Sequence, residues 1–437
     1  MKNIFIIKKR INPFKKKIFI EGDKSISIRW VLLSSLSKKK SRAYNLLNSE
    51  DVLSALNCVK KLGAKVKIRK DFCEIVGTGL NYIEKKNLIL NAGNSGTLSR
   101  LILGLLINYK KTVKIIGDKS LSKRDFSRVT IPLKKFGLNI ISKNSGLPLV
   151  IKGIEKPKSI SYKERRGSAQ CKSSVMLAAL KANGTTNIQA KKSRNHTELL
   201  FKSLKVPINL KSTKNLDYIK VSSVKKIDPV NYKIPGDISS SSFLIVLTLL
   251  TKNSELLIRN VNINSSRIGI IHILKKMGAH IVFKNVKIYK GEKIGDIFVK
   301  SSSKLKGLNC PIKFNSSAID EFLIIFLVAA KSKGVSYFKN LSELNQKESP
   351  RLIWGSKILN LMGIKTDMTE SSLKIYGNPE LKLDKKIIIK NYLKDHRVFM
   401  MSVIAGLTCG GKWVISDVDS IKTSFPSFLK TIKIISG

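Results

Sequence analysis

Glu21-Gly22-Asp23-Lys24-Ser25-Ile26-Ser27-Ile28-Arg29 runs straight into the apolar stretch Trp30-Val31-Leu32-Leu33-Ser34-Ser35-Leu36. A charged strand end meets a glycine turn, and apolar residues at helical spacing follow. A helix starting near Ser25 would offer its unbonded N–H groups and positive dipole end to an anion. Arg29 lies one turn past Ser25 and shares a face with it at that end. Lys24 stands just before the turn, so three donors are expected to converge on one point. Taken alone, the stretch reads more simply as an N-capped core helix with a solvated lysine and arginine, since short motifs are weak evidence. It is not a Walker A loop, because Asp23 occupies the place of that motif's second glycine.

Recurrence changes the balance. A turn of Gly, Asn and small polar residues feeds an apolar helix six times, beginning near Gly22, Asn94, Gly167, Gly236, Asn315 and Asp395. The steps are about 70–80 residues, longer than ordinary solenoid repeats. Beyond the first, the helices read Leu98 to Leu106, Ser174 to Leu180, Ser242 to Leu250, Phe322 to Ala330 and Val398 to Leu407. They are apolar nearly all round, which predicts burial.

A second, more amphipathic helix follows each and stops at a small break. Lys60-Lys61-Leu62-Gly63, Lys134-Lys135-Phe136-Gly137, Lys275-Lys276-Met277-Gly278 and Leu361-Met362-Gly363 carry the lysines and glycine that a helix C-terminus prefers. The third and sixth copies, at Leu204-Lys205-Val206 and Ile432-Lys433-Ile434, lack the glycine. Each unit therefore reads strand, helix, strand, helix, then strands. The strongest duplicate pair, Gly22-Asp23-Lys24-Ser25 and Gly236-Asp237-Ile238-Ser239, divides the repeats into two lobes of three. The expected N-terminal lobe is 23–234. The C-terminal lobe is 1–22 plus 235–437, with the site in the cleft between them.

Lys and Arg number 82 against 29 Asp and Glu, a formal net charge of +53 over 437 residues. The lysines spread along the whole length as pairs and triplets, with no basic tail or RNA-binding signature. Compositional drift explains this better than a nucleic-acid partner, and no specific nucleic acid is expected. The five cysteines are scattered without metal or redox spacing, which predicts reduced thiols. The first apolar stretch is too short for a signal peptide, and no run approaches a membrane span. A soluble, cytoplasmic protein is expected.

The helix starts carry the chemistry. Asn94-Ser95-Gly96-Thr97-Leu98-Ser99-Arg100 offers a glycine that lets backbone approach a ligand. Gly117-Asp118-Lys119-Ser120-Leu121-Ser122-Lys123-Arg124 adds a basic turn. Ser168-Ala169-Gln170-Cys171-Lys172 and Ser193-Arg194-Asn195-His196 follow, then Asp237 with Ser239 to Ser242. The fifth copy differs by bringing the carboxylates Asp320-Glu321 to the same kind of start. In Asn345-Gln346-Lys347-Glu348-Ser349-Pro350-Arg351, Ser349 is expected to cap a helix with Pro350 at its first position. The last copy brings Asp395-His396-Arg397. Singly, Asp320 reads as a dipole-compensating acid, Lys347-Glu348 as a solvated pair and His396 as a core histidine. Jointly they favour phosphorylated substrates and proton transfer. No Gly-x-Ser-x-Gly elbow, dinucleotide fingerprint or metal cluster occurs.

These motifs, with Thr423 to Phe428, resemble end to end the 5-enolpyruvylshikimate-3-phosphate synthase family in its bacterial class with Gly-Asp-Lys-Ser-Ile-Ser. The resemblance implies an α/β fold of two inside-out barrel lobes, built from six βαβαββ repeats, three per lobe. It implies transfer of the enolpyruvyl group of phosphoenolpyruvate to the 5-hydroxyl of shikimate 3-phosphate. Phosphate leaves through a tetrahedral intermediate, with no metal or cofactor, on a monomer. Carried over by motif, Lys24, Ser25, Arg29, Ser168, Gln170, Arg194, Asp320 and Lys347 would hold shikimate 3-phosphate. Lys24, Gly96, Arg124, Gln170, Arg351 and Arg397 would hold phosphoenolpyruvate. Asp320, Glu348, Lys347 and Lys24 would be catalytic: Asp320 takes the hydroxyl proton, and Lys347 and Glu348 serve the enol carbon and oxygens. The family's inhibitor glyphosate would compete with phosphoenolpyruvate beside Gly96.

Departures are Ile28 for a polar residue, Leu101 for proline, and Asn345 and Pro350 for Arg and Asp. Lys422 stands one place away from a lysine that some members carry. The related UDP-N-acetylglucosamine enolpyruvyl transferases rely on a loop cysteine, and Gly117 to Arg128 contains none.

Overall fold

Asp23 accepts a hydrogen bond from the backbone N–H of Ile26 at 2.9 Å, and that cap starts helix α1 (Lys24–Ser34). The same device sets the starts of α2 (Gly96–Leu105), where Ser95 accepts from Leu98, and α3 (Ala169–Ala179), where Ser168 accepts from Cys171. Asp237 begins α4 (Ile238–Leu250). Helix α5 (Phe322–Ala330) has no side-chain cap, and Asp395 begins α6 (His396–Cys409). Most of these helices start earlier than their apolar runs, because the small polar residues ahead satisfy the first N–H groups. The computed structural model describes residues 3–142 and 144–437; the first two residues of the expected 1–22 segment lie outside them.

The described residues form six sheets in a mixed α/β fold, and none of the six is a closed barrel. By contacts the chain divides into two compact units, one of Gly22–Pro235 with Tyr289–Glu292, the other of Met1–Glu21, Gly236–Ile288 and Lys293–Gly437. A strand exchange underlies this division. Lys15–Phe19, which precedes α1, pairs in parallel with Glu255–Asn262. Tyr232–Lys233, which precedes α4, pairs in parallel with Ser41–Tyr44. Each unit thus completes a sheet with a strand from the far side of a crossing.

Each unit has its own apolar core. In the first, α2 packs along α3. Gly104 allows the close approach, since a Cβ there would stand 2.1 Å from the Ser174 carbonyl oxygen. In the second, every residue of α5 and Ile238 through Leu249 of α4 are buried. Each such Leu, Ile or Phe contributes about 1.5–3 kcal/mol on burial, which drives these helices inside.

The repeat holds fully in four copies, while the fifth and sixth depart from it. In the fifth, the leading strand is reduced to the isolated bridges Lys306–Lys333 and Asn309–Tyr337. In the sixth, Ile432-Lys433-Ile434 is no break: it lies inside the helix Phe428–Ser436. The returning strand is replaced by Ile4–Ile7, which pairs antiparallel with Gly410–Ser416.

At the other breaks Gly63, Gly137, Gly278 and Gly363 have φ between 83 and 106°, and Lys205 holds the same left-handed place at φ 56°. A non-glycine residue there is strained, whereas glycine is not. Lys205→Gly is therefore expected to stabilise its unit by up to about 1 kcal/mol, read as a raised unfolding midpoint. A lowered midpoint would mean that the lysine side chain contributes more than the strain costs.

Candidate active site

In the unit of residues 22–235, Lys24 turns to Asp51, in the first turn of helix Glu50–Lys61, with Nζ–Oδ2 at 3.0 Å. Arg29 sits one turn inside α1 and is buried. Its Nε donates to Thr197 Oγ1 at 2.8 Å, Nη1 to the Ser25 carbonyl at 3.0 Å and Nη2 to Ser173 Oγ at 3.1 Å. Thus Arg29 ties α1 to α3 and to helix His196–Ser203, and Ser25 meets it through backbone. Arg194 lies in the loop just ahead of that helix, partly exposed. Behind these residues Lys172, fully buried on α3, pairs with Glu198 at 2.6 Å. Ser168 is the cap of α3.

Gly96 opens α2, and a Cβ added there would lie 3.0 Å from both Arg100 Nη1 and Arg124 Nη1. Arg100 Nη1 donates to Gln170 Oε1 at 2.8 Å, and Gln170 Nε2 donates to Thr97 Oγ1 at 3.1 Å. The Arg100 guanidinium also lies over the Phe126 ring, 5.1 Å from its centroid. Two guanidinium groups and a carboxamide thus surround bare backbone at a helix N-terminus. That combination suits a small dianion, since the amides and the forked donors all point positive charge at it.

In the other unit the acids are not solitary. Asp320 Oδ1 lies 3.6 Å from Lys347 Nζ and 3.5 Å from Arg351 Nη1. Arg351, which starts helix Arg351–Leu361, is 2% exposed and also meets Glu348 at 2.5 Å. Its Nε reaches Asp395 Oδ2 at 2.8 Å, and Nη2 reaches Asp395 Oδ1 at 3.2 Å. Three chain segments thus gather three carboxylates, one lysine and one guanidinium. Burial favours a neutral Arg351, but Asp395, Glu348 and Asp320 outweigh it and hold its proton more firmly than usual. Burial would likewise raise Asp395; Arg351 overcomes that and holds its carboxyl below the ordinary range, against the push of Glu348. Arg397, in the first turn of α6, has Nη1 3.9 Å from Glu321 Oε1. His396 Nδ1 is 3.3 Å from Thr423 Oγ1.

The expected cap at Ser349 is absent. Pro350 holds the cap position without a side-chain bond, and Ser349 donates to Asp395 Oδ2 at 2.9 Å. Asn345 Oδ1 accepts from the Leu352 N–H instead, at 3.2 Å. A longer reach from the preceding turn has displaced the local cap. Thr197, Ser173, Asp51 and the pairing role of Asp395 are contacts of the candidate site residues that sequence reasoning missed. Only Asp51 carried a local signal, as an acid in a helix's first turn. The rest are polar residues whose partners lie far away in the chain.

Residues 8–432 match the sequence profile of EPSP synthase (3-phosphoshikimate 1-carboxyvinyltransferase). A 3-phosphoshikimate 1-carboxyvinyltransferase from Ruthia magnifica subsp. Calyptogena magnifica is 38% identical over 427 residues, covering 98% of this chain and 96% of that protein. The solved EPSP synthase of Acinetobacter baumannii superposes with a TM-score of 0.86 at 32% identity, covering 99% and 98% of the two chains. The enolpyruvyl transferase NikO of Streptomyces tendae has a TM-score of 0.76 over 99% of this chain and 97% of its own. At 13% identity it speaks for the fold alone.

Proposed function

The chain belongs to the EPSP synthase family, and from that premise we propose how its own residues perform the family's reaction. The enzyme transfers the 1-carboxyvinyl group of phosphoenolpyruvate to the 5-hydroxyl of shikimate 3-phosphate. In the addition step the hydroxyl oxygen bonds to C2 of phosphoenolpyruvate, its proton goes to Asp320, and C3 gains a proton. In the elimination step the C2–O bond to phosphate breaks and C3 loses a proton, which restores the double bond. Lys347 and Glu348 serve the protons at C3 and the departing phosphate oxygen. Lys24 bridges the two anionic substrates.

Lys24, Ser25, Arg29, Ser168, Gln170 and Arg194 hold shikimate 3-phosphate, with Asp320 and Lys347 at its reacting side. Lys24, Gly96, Arg124, Gln170, Arg351 and Arg397 hold phosphoenolpyruvate. The observation that carries this reading is the cluster in which Asp320 meets both Lys347 and Arg351. A carboxylate placed among cations can accept a proton where anionic substrates are drawn in. We read the enzyme as a cytoplasmic monomer; no described helix is long and apolar enough to cross a membrane.

The test is phosphate release from phosphoenolpyruvate with shikimate 3-phosphate as acceptor, run beside UDP-N-acetylglucosamine. Release with the first acceptor alone is expected, and release with the nucleotide sugar alone would overturn the reading. The cysteine chemistry of that second family has no support here. All five cysteines are buried, and burial pushes the Cys58 thiol up to about 12 and those of Cys73 and Cys310 up to about 11.

Gly96 gives a second test. An alanine methyl would press on the ends of Arg100 and Arg124, flexible groups that can retract, so the fold should survive. Overpacking by one methyl costs about 1–3 kcal/mol, so Gly96→Ala is expected to weaken glyphosate inhibition about tenfold or more. Phosphoenolpyruvate, which is shorter, should lose less. Superimposable inhibition curves for wild type and variant would show that Gly96 does not border the inhibitor.

A further inference from the structure

Asp320 and Glu321 are neighbours in sequence but belong to different networks. Asp320 meets Lys347 and Arg351. Glu321 is fully buried and accepts a short hydrogen bond from the Ser239 hydroxyl. Ser239 in turn accepts from Arg267 Nη2 at 2.8 Å. Because a guanidinium only donates and a carboxylate accepts, the hydroxyl's own hydrogen goes to Glu321. Arg267 Nη2 also reaches Asp237 Oδ1 at 3.4 Å, and Asp237 accepts from the Ser239 N–H at 2.7 Å. Asp237, Ser239, Arg267 and Glu321 are all buried. The chain Asp237–Arg267–Ser239–Glu321 therefore joins the starts of α4 and α5 and ends on Arg397 of α6.

The contact with Arg397 is of a particular kind. At 3.9 Å, Glu321 Oε1 attracts Arg397 Nη1 by charge without a hydrogen bond. Arg397 is 7% exposed, and its Nη1 has no hydrogen-bond partner among the described residues. The guanidinium is thus held in place while that donor remains available. Buried ion pairs add little stability over apolar side chains of equal volume, so geometry is the better account of such a network.

We propose that Glu321 is a positioning residue for phosphoenolpyruvate, resting on the reading that assigns Arg397 to that substrate. Backed by Ser239 and Arg267, it fixes the Arg397 guanidinium for an anionic group of the substrate. It takes no part in proton transfer, which stays with Asp320.

The experiment is steady-state kinetics with each substrate varied in turn, on wild type, Glu321→Gln, Glu321→Asp and Ser239→Ala. Hydrogen bonds and contacts to charged groups of this kind are worth about a tenfold change in binding. The KM for phosphoenolpyruvate is expected to rise about tenfold or more in Glu321→Gln and several-fold in Ser239→Ala. The KM for shikimate 3-phosphate should stay within about twofold, the pH profile should keep its shape, and Glu321→Asp should restore part of the loss. Ser239→Ala changes no charge, so it carries the test if Glu321→Gln does not fold.

An unchanged KM for phosphoenolpyruvate in Ser239→Ala, or equal rises for both substrates, would overturn the proposal. So would a pH profile that loses one limb in Glu321→Gln, which would make Glu321 an acid or base. Wild-type turnover in the same assay separates these failures from a failure of the reaction reading.

Discussion

Asp320→Asn is expected to lower turnover by about 10²–10⁴-fold, the usual contribution of a positioned general base. The amide keeps the shape of the carboxylate but cannot take the proton that the attacking hydroxyl must lose. The fold should be almost untouched, for a reason visible in the ion pairs. Arg351 would still hold Asp395 at 2.8 Å and Glu348 at 2.5 Å, so no buried cation is left uncompensated. Asp320 itself is partly exposed, with side-chain exposure of 17%, so the amide of the variant keeps contact with water. Single-turnover rates at saturating substrates, with an unfolding curve on the same preparation, make the measurement. A near-normal rate would remove Asp320 from proton transfer. A rate loss that tracks a lowered unfolding midpoint would make its role structural.

The parts of the fold that were legible in sequence are those whose cause is local. A small polar residue ahead of an apolar run marks a helix start and, in every one of the six but α5, also caps it, so α1 and its counterparts could be found from local pattern. Glycine after a lysine-rich turn marks a helix end, and Lys205 shows the same geometry reached without it. What local pattern could not supply is pairing at a distance. Ile4–Ile7 lies in register with Gly410–Ser416, and nothing in either segment names the other.

The site divides along the same line. Asp320, Lys347, Glu348 and Arg351 stood out because charged residues gather at helix starts. Yet Asp395 is what Arg351 grips, and in the sequence it stands out only as part of a motif. Arg267 sits in an Asn-Ser-Ser-Arg turn with no periodicity to betray it. Its meaning comes from partners such as Asp237 and Ser239, distant in the chain. Ser349 shows the converse, a local rule for capping overridden by a nearby carboxylate.

Removing Arg351 should have the largest effect on stability. Arg351→Met keeps the bulk of a fully buried side chain and deletes the charge around which Asp320, Glu348 and Asp395 are gathered. Breaking one side of a buried ion pair costs about 3–5 kcal/mol, because the remaining charge stays desolvated. Here Asp320 keeps Lys347 and Glu348 keeps contact with water, so the loss falls mainly on Asp395, which is wholly buried.

The pH dependence has a definite sign. In the native protein the Asp395 carboxyl lies below its ordinary value. It therefore adds stability that is present above the unfolded carboxyl pKa of about 3.9 and is lost as pH falls through the lower folded value. Without Arg351, burial and the neighbouring Glu348 both push that carboxyl up, so its charged form opposes folding and protonation relieves the strain. The deficit of the variant is expected to be greatest near neutral pH and to shrink as pH falls through about 4. Denaturant unfolding of wild type and Arg351→Met at neutral and acidic pH measures it, with Arg351→Lys as an intermediate that keeps charge but loses the fork. Equal stability at neutral pH, or a deficit that widens on acidification, would show that Arg351 does not hold this carboxylate cluster together.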